Sequence, residues 1–325
     1  MDVMTTASES SHSHDPPPVE PAPAPGRTSG GDRRRRRPSV LPLALLAPAT
    51  LVLAVMLGYP LYRLGVLSTH EYGMRQVFGQ PAPWVGLDNF REILGESYFW
   101  TVLWRTLVFC AVNVALTMVL GVLVALLLGA LGTKMRLLVS TSLILAWAMP
   151  ALTATVVWQW IFDTQYGIVN WAVDTPGHSW LAEPLSFFMV ATIIVVWMGI
   201  PFVAFTVYAA LTQIPESLIE AAHLDGADAG QRFRFVIFPA IKPVLLIITS
   251  LSILWDFRVF TQIYVLQRAG GISRDTNLLG VYAYNISIGQ NEYDIGAAVA
   301  IVMVVITLVL TLTYIRSMIR ENELR

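Results

Sequence analysis

Five long intervals of this 325-residue chain contain no Asp, Glu, Lys or Arg: Arg37 to Arg63, Arg105 to Lys134, Arg136 to Asp163, Glu183 to Glu216, and Asp294 to Arg316. A helix crossing a hydrocarbon core about 30 Å thick needs roughly 20 apolar residues, and each interval is long enough. A sixth stretch, Pro243 to Leu266, has the length and the Ile/Leu content but carries Asp256 and Arg258. The expected fold is an all-α membrane protein with six transmembrane helices near 40–62, 104–130, 137–162, 186–210, 243–266 and 294–315. With 13% of residues charged, against roughly a quarter in soluble domains, a water-soluble fold would leave apolar surface uncovered. The net charge of −1 provides no global field for nucleic acid, so the lipid bilayer is the expected partner and nucleic acid is not.

The basic run Arg33 to Arg37 followed by Val40 to Leu57 resembles the start of a secretory signal peptide. The apolar stretch is too long for one, however, and ends in Gly58-Tyr59-Pro60-Leu61-Tyr62 without a small-x-small cleavage pattern. Its aromatic end suits a membrane interface, and an uncleaved anchor is the reading adopted. Residues 1–37 are expected to form a disordered basic cytoplasmic tail, rich in Ser, Pro, Ala and His toward its start. Residues 38–325 form the transmembrane domain. With both termini inside, cytoplasmic segments hold 14 of the 21 Lys and Arg residues: Arg27, Arg33 to Arg37, Lys134, Arg136, Arg232, Arg234, Lys242, Arg316, Arg320 and Arg325. The orientation is therefore N-in and C-in.

Several chemistries are excluded. The single cysteine, Cys110, allows neither an intrachain disulfide nor a thiolate metal cluster. The histidines have no metal-ligand spacing. The two lysines follow Thr133 and Ile241, so a Gly-Lys Walker A pair cannot occur, and no nucleophile elbow is present. The chain is read as a non-enzyme with no catalytic residues, cofactor or metal of its own. Any energy it uses must come from another subunit.

The segment between the fourth and fifth helices, 211–242, reads Glu220-Ala221-Ala222-His223-Leu224-Asp225-Gly226, nine residues, then Val236-Ile237-Phe238-Pro239. This resembles the EAA loop of permease subunits of binding-protein-dependent ABC importers, with Val236 and Phe238 in place of Ile and Leu. Pro215 suits the first turn of a short helix, Glu216 and Glu220 complement its positive end, and Gly226 can adopt the left-handed conformation that stops it. Ala221 and Ala222 allow close approach of another protein, and Leu218, Ile219 and Leu224 offer an apolar anchor. So short a helix needs a receiving groove. The resemblance implies that Glu220, Ala221, Ala222, Asp225, Gly226 and Pro239 couple to a cytoplasmic ATPase dimer, which binds the ATP and Mg.

Further segments narrow the resemblance to maltose- and glycerol-phosphate-type sugar permeases. They are Trp84-Val85-Gly86-Leu87-Asp88-Asn89-Phe90, Trp158 to Phe162 with Tyr166-Gly167-Ile168-Val169-Asn170, and Asp294-Ile295-Gly296-Ala297-Ala298. The family implies a type I ABC importer permease fold in the bacterial plasma membrane and a second homologous permease forming a heterodimer. It also implies an extracytoplasmic sugar-binding protein docking on 63–100 and 266–293, and an oligosaccharide or related polyol as substrate. Its substrate contacts carry over to Met198, Gly199, Phe202, Trp255 and Asp256. Asp256 stands where the family has an amide and Phe202 where Tyr can occur, so the sugar's identity is not inherited. Asp256 and Arg258, two residues apart, point about 200° from each other on a helix and need separate partners. Trp255 can stack on a sugar face while a carboxylate accepts hydroxyl hydrogen bonds. Pro150 and Pro201 fall mid-span, as static kinks or as sites of bending. A secondary transporter would need an ion-coupling network and usually inverted halves, which are not evident. A non-transport scaffold would leave the EAA spacing unexplained.

Overall fold

The structure is a computed structural model that describes residues 40–323, with side chains placed over 45–316; the basic tail expected at 1–37 lies outside the described residues. Two units are distinguished, divided after Ala54. The first is seen as the start of helix α1 (Val40–Ser68), whose residues are exposed from Leu45 to Arg63 and become buried only at its end, at Ser68.

From Val55 the described chain is helical apart from loops and two isolated bridges. After α1 come α2 (Asp88–Gly95), α3 (Ser97–Ala130), α4 (Thr133–Trp147), α5 (Ala151–Ile161), α6 (Pro184–Leu211) and α7 (Glu216–Leu224). Next are α8 (Phe238–Asp256), α9 (Thr261–Arg268), α10 (Leu279–Tyr284) and α11 (Tyr293–Glu323). Five segments among the described residues are long and apolar enough to cross a membrane: Leu45–Ser68, Ser97–Ala130, Pro184–Leu211, Ala229–Arg268 and Tyr293–Arg316.

The third expected helix, 137–162, is corrected to two: α4 and α5 meet at a bend of 102°. The cause is local. Pro150 has no N–H to give the preceding turn and its ring disfavours helical backbone at Met149, so α4 stops at Ala148 and Pro150 serves as the cap of α5. Together the pair still crosses the fold. Arg136, at the start of α4, donates to the carbonyls of Leu128 and Leu131 at the end of α3 and lies over the Tyr208 ring near the end of α6. Phe109 and Phe188 meet toward the starts of those helices, so α3 and α6 run parallel and only α4–α5 can carry the chain back from the end of α3 to the start of α6. This makes six crossings. The fifth, expected at 243–266, is also interrupted: α8 ends at Asp256 and α9 begins at Thr261.

The most extensive helix contact joins α3 to α6. Lipid tails are as apolar as leucine, so helices in a membrane associate by close packing, and small residues at the contact permit it. A Cβ on Gly121 would fall 2.5 and 2.6 Å from Val203 Cγ1 and Cβ, and one on Gly199 2.8 Å from Thr117 Cγ2. Three apolar clusters flank this seam. One holds Ala125, Val203, Val207, Ile241 and Ile248 near the α7 end. A second gathers Phe187, Ile194, Ile263 and Leu266. The third joins Ile93, Phe99, Leu279 and Val299 around α2, α3, α10 and α11.

Because Val203 is β-branched and stiff at χ1, Gly121→Ala should cost about 1–3 kcal/mol through overpacking. Thermal unfolding in detergent checks this: Gly121→Ala lowers Tm by several degrees, and adding Val203→Ala restores most of the loss.

Candidate functional site

The residues of the 211–242 segment form a hook that follows the end of α6. Helix α7 starts after Pro215, whose φ of −57° is already helical, with Glu216 in the first turn. It ends where Gly226 takes φ +78°, with the Ala227 N–H donating to the Ala222 carbonyl at 3.0 Å. That closure satisfies a terminal carbonyl and turns the chain back. Asp228 then caps the next turn, Ala229–Arg232, accepting from the Gln231 N–H at 2.8 Å while the Gln231 side chain accepts from the Asp228 N–H at 3.0 Å. Arg232 Nη1 reaches His223 Nδ1 at 2.6 Å and ties that turn to α7. Since a guanidinium only donates, Nδ1 is the acceptor.

The outer side of the hook is unsatisfied. Leu218 and Leu224 are 53% and 87% exposed, and Glu220, Ala221 and Asp225 are also exposed. A cavity of about 480 Å³ is lined by Ile219, Glu220, His223, Leu224 and Arg232. Glu220, Ala221, Ala222, Asp225 and Gly226 thus fall on or just beyond one short helix. Pro239 sits separately and exposed, in the first turn of α8 after a π-helical turn at Phe233–Ile237.

Of the five residues carried over as substrate contacts, four gather where α6 faces the break after α8. Phe202 and Trp255 stack obliquely with ring centres 5.1 Å apart. Met198 Sδ accepts from Gln262 Nε2 at 3.6 Å, linking α6 to α9 across the break. Asp256, the last residue of α8, is half-buried, and its carboxylate makes no hydrogen bond or ion pair to any described residue. Arg258 does not pair with it: its Nε donates to the Leu254 carbonyl at 3.0 Å, and the only ion pair among the described residues is Arg91–Asp88. The fifth residue, Gly199, lies against Thr117 in the helix seam, a packing position. Sequence reasoning missed Gln262, whose signal was a polar side chain in an apolar stretch. It also missed the ring cluster Phe260, Tyr264 and Tyr284, where Arg268 donates to the Tyr264 hydroxyl at 3.0 Å.

At the opposite end from the hook, the segments 63–100 and 266–293 are laced together. Buried Asn89 donates to the carbonyls of Ser68 and His70 at 3.1 and 3.0 Å, holding the end of α1. The Tyr72 N–H donates to Asp294 Oδ2 at 2.9 Å, and the Asp294 N–H donates back to the Tyr72 carbonyl at 3.2 Å. Tyr282 donates its hydroxyl to Glu96 at 3.0 Å. A cavity of about 370 Å³ between these segments is lined by Glu92, Glu96, Tyr98, Tyr282 and Glu292. Burial, and then the carboxylates of Glu92, Asp294 and Glu96, push the Glu292 carboxyl above its usual range.

Comparison with known proteins accords with this arrangement. Residues 118–320 match the family model described as binding-protein-dependent transport system inner membrane component. The chain is 41% identical over 307 residues to the diacetylchitobiose uptake system permease protein DasB of Streptomyces coelicolor, covering 92% of this chain and 93% of that one. It is 32% identical over 285 residues to the trehalose/maltose transport system permease protein MalF of Thermococcus litoralis, covering 86% and 94% respectively. In fold it superposes with a TM-score of 0.73 on a chain of a bacterial ABC transporter that imports the polysaccharide alginate, at 22% identity, covering 86% of this chain and 95% of that chain.

The raised Glu292 has a consequence for stability. The folded state holds this proton more tightly than the unfolded chain, so ionisation of Glu292 destabilises the fold as pH rises above the ordinary carboxylate range of about 4.5. Glu292→Gln should therefore raise Tm relative to the parent at about pH 7.5 and leave it nearly unchanged at about pH 4. Equal differences at both pH values would contradict this assignment.

Proposed function

This chain belongs to the family of binding-protein-dependent transport system inner membrane components, and we propose that it is one of two permease subunits of an ATP-driven importer for an oligosaccharide. It is a multi-pass membrane protein with the type I ABC importer permease fold and six spans. The observation that carries the coupling mechanism is the exposed apolar face of α7, with Leu218 and Leu224 uncovered beside Ala221. A nine-residue helix is too short to be stable alone in water, and its leucines gain free energy only when a groove receives them. In the proposed complex that groove belongs to a cytoplasmic ATPase subunit. A second, homologous permease completes the pathway, and both termini of this chain lie on the cytoplasmic side.

The mechanism involves no covalent chemistry. Closure of the ATPase pair around ATP displaces α7. Its short connection to α6 transmits the displacement, and α6 carries α3 with it through the glycine contacts. Movement of α6 against α8 alters the space between Phe202 and Trp255. Sugar released by a binding protein on the 63–100 and 266–293 segments meets the Trp255 ring, suited to the apolar face of a pyranose, and the unpaired Asp256 carboxylate, suited to hydroxyl donors. The relatives named for diacetylchitobiose and trehalose/maltose support an oligosaccharide rather than a single ion or amino acid.

Two experiments test this reading in the reconstituted transporter. Gly226→Ala forces a side chain into left-handed backbone at about 1–2 kcal/mol, and uptake should fall about 5- to 30-fold with membrane insertion intact. Glu220→Ala should likewise reduce the stimulation of ATP hydrolysis by loaded binding protein. In the pathway, Asp256→Leu should abolish uptake and Asp256→Asn should retain a substantial part, because an amide still accepts hydroxyl hydrogen bonds. Unchanged uptake in Gly226→Ala and Glu220→Ala would refute coupling through α7, and full uptake by Asp256→Leu would remove Asp256 from the substrate path.

A further inference from the structure

On the side of the fold opposite α7, the first halves of α3 and α6 enclose an apolar groove of about 690 Å³. Its walls include Val108, Val112 and Leu116 from α3 and Met189 and Ile193 from α6; Thr101 and Thr192 add hydroxyls, and Arg105 is its one charged member. Arg105 is held in place by Nη1, which donates to the carbonyls of Asn277 and Arg274 at 3.2 and 3.4 Å. Its Nε and Nη2 have no partner among the described residues, and no carboxylate pairs with it. Beside it Trp104 is 69% exposed, as expected of a side chain at the headgroup level of a bilayer.

We propose that this groove is a binding site for a membrane phospholipid, with the phosphate on the Arg105 guanidinium and one acyl chain lying between α3 and α6. Two features select this occupant. The charge is complementary: the three N–H donors left on Nε and Nη2 form a fork that fits phosphate oxygens. The depth is also right: from Arg105 to Leu116 a helix rises about 16 Å, close to the ~15 Å of hydrocarbon in one leaflet. An apolar helix from a neighbouring subunit could fill the same volume, but it would bring no anion to Arg105 and would leave those donors unpaired at a dry contact. The site lies in the leaflet away from the coupling hook and spans the outer part of the α3–α6 seam, so its lipid packs against the two helices that the proposed mechanism moves together. The lipid assignment itself rests only on the groove and Arg105 and stands apart from the transport reading.

The test uses the intact transporter, purified with its partner subunits and reconstituted in phosphatidylcholine vesicles doped with phosphatidylglycerol carrying a photoreactive group in one acyl chain. After illumination, mass spectrometry should place the label on peptides containing Val108 to Leu116 or Met189 to Ile193. Arg105→Gln should reduce that labelling at least fivefold. Val112→Trp keeps Arg105 and its carbonyl contacts but fills the groove, and should reduce it equally, which separates loss of the site from any disturbance at residues 274 and 277. Groove labelling unchanged in both variants overturns the proposal. So does efficient cross-linking of Val108→Cys to the second permease subunit, which would show protein in place of lipid.

Discussion

The architecture depends on how closely α3 and α6 approach. Inside a bilayer there is little hydrophobic gain from bringing two helices together, so contact has to come from packing of the backbones. Gly121 opposite Val203 and Gly199 opposite Thr117 provide that approach at two levels of the same seam. Once the seam is set, Arg136 binds the end of α3 to the start of α4 and lies over Tyr208. That fixes the position from which α7 hangs, while α8 packs along α6 and presents Trp255 to Phe202. Gly199 is therefore as important to the fold as to any substrate path.

The spans were legible because charge is costly in hydrocarbon, so its absence over 20 or more residues marks them in the sequence alone. The stop of α7 was equally legible: Gly226 occupies a left-handed φ with open space where its Cβ would be, so conformation and not crowding asks for glycine there. The turn at Pro150 was only half legible. A proline guarantees a missing donor, but whether the result is a slight kink or a bend of 102° depends on what the next segment packs against, here α9 against α5. Gln262 was hidden for a similar reason: its link to Met198 joins residues 64 apart in sequence, and no local pattern records it.

The outer motifs that carried the family resemblance prove to be fasteners. Asn89 clamps the end of α1 through two carbonyls. Asp294 exchanges hydrogen bonds with the Tyr72 backbone. Gly167 has Asp163 backbone where a Cβ would stand, and Gly296 has Ser287 and the Ala283 carbonyl. Such positions tolerate few residue types for steric and hydrogen-bonding reasons, which is why they can be read as motifs without touching a substrate. The residues proposed to meet the sugar are less constrained by the fold itself: Trp255 is half exposed and the Asp256 carboxylate has no hydrogen-bond partner among the described residues. Selectivity can change there while the frame stays fixed.

The central claim is that this chain does no work of its own and moves solute only when an external nucleotide engine pushes on α7. The most direct measurement is uptake of radiolabelled oligosaccharide into proteoliposomes assembled from purified subunits, with the ATPase left out in one arm and ATP left out in another. The account predicts accumulation only in the complete assembly and none in either depleted arm. Accumulation against a gradient with the ATPase absent would contradict it.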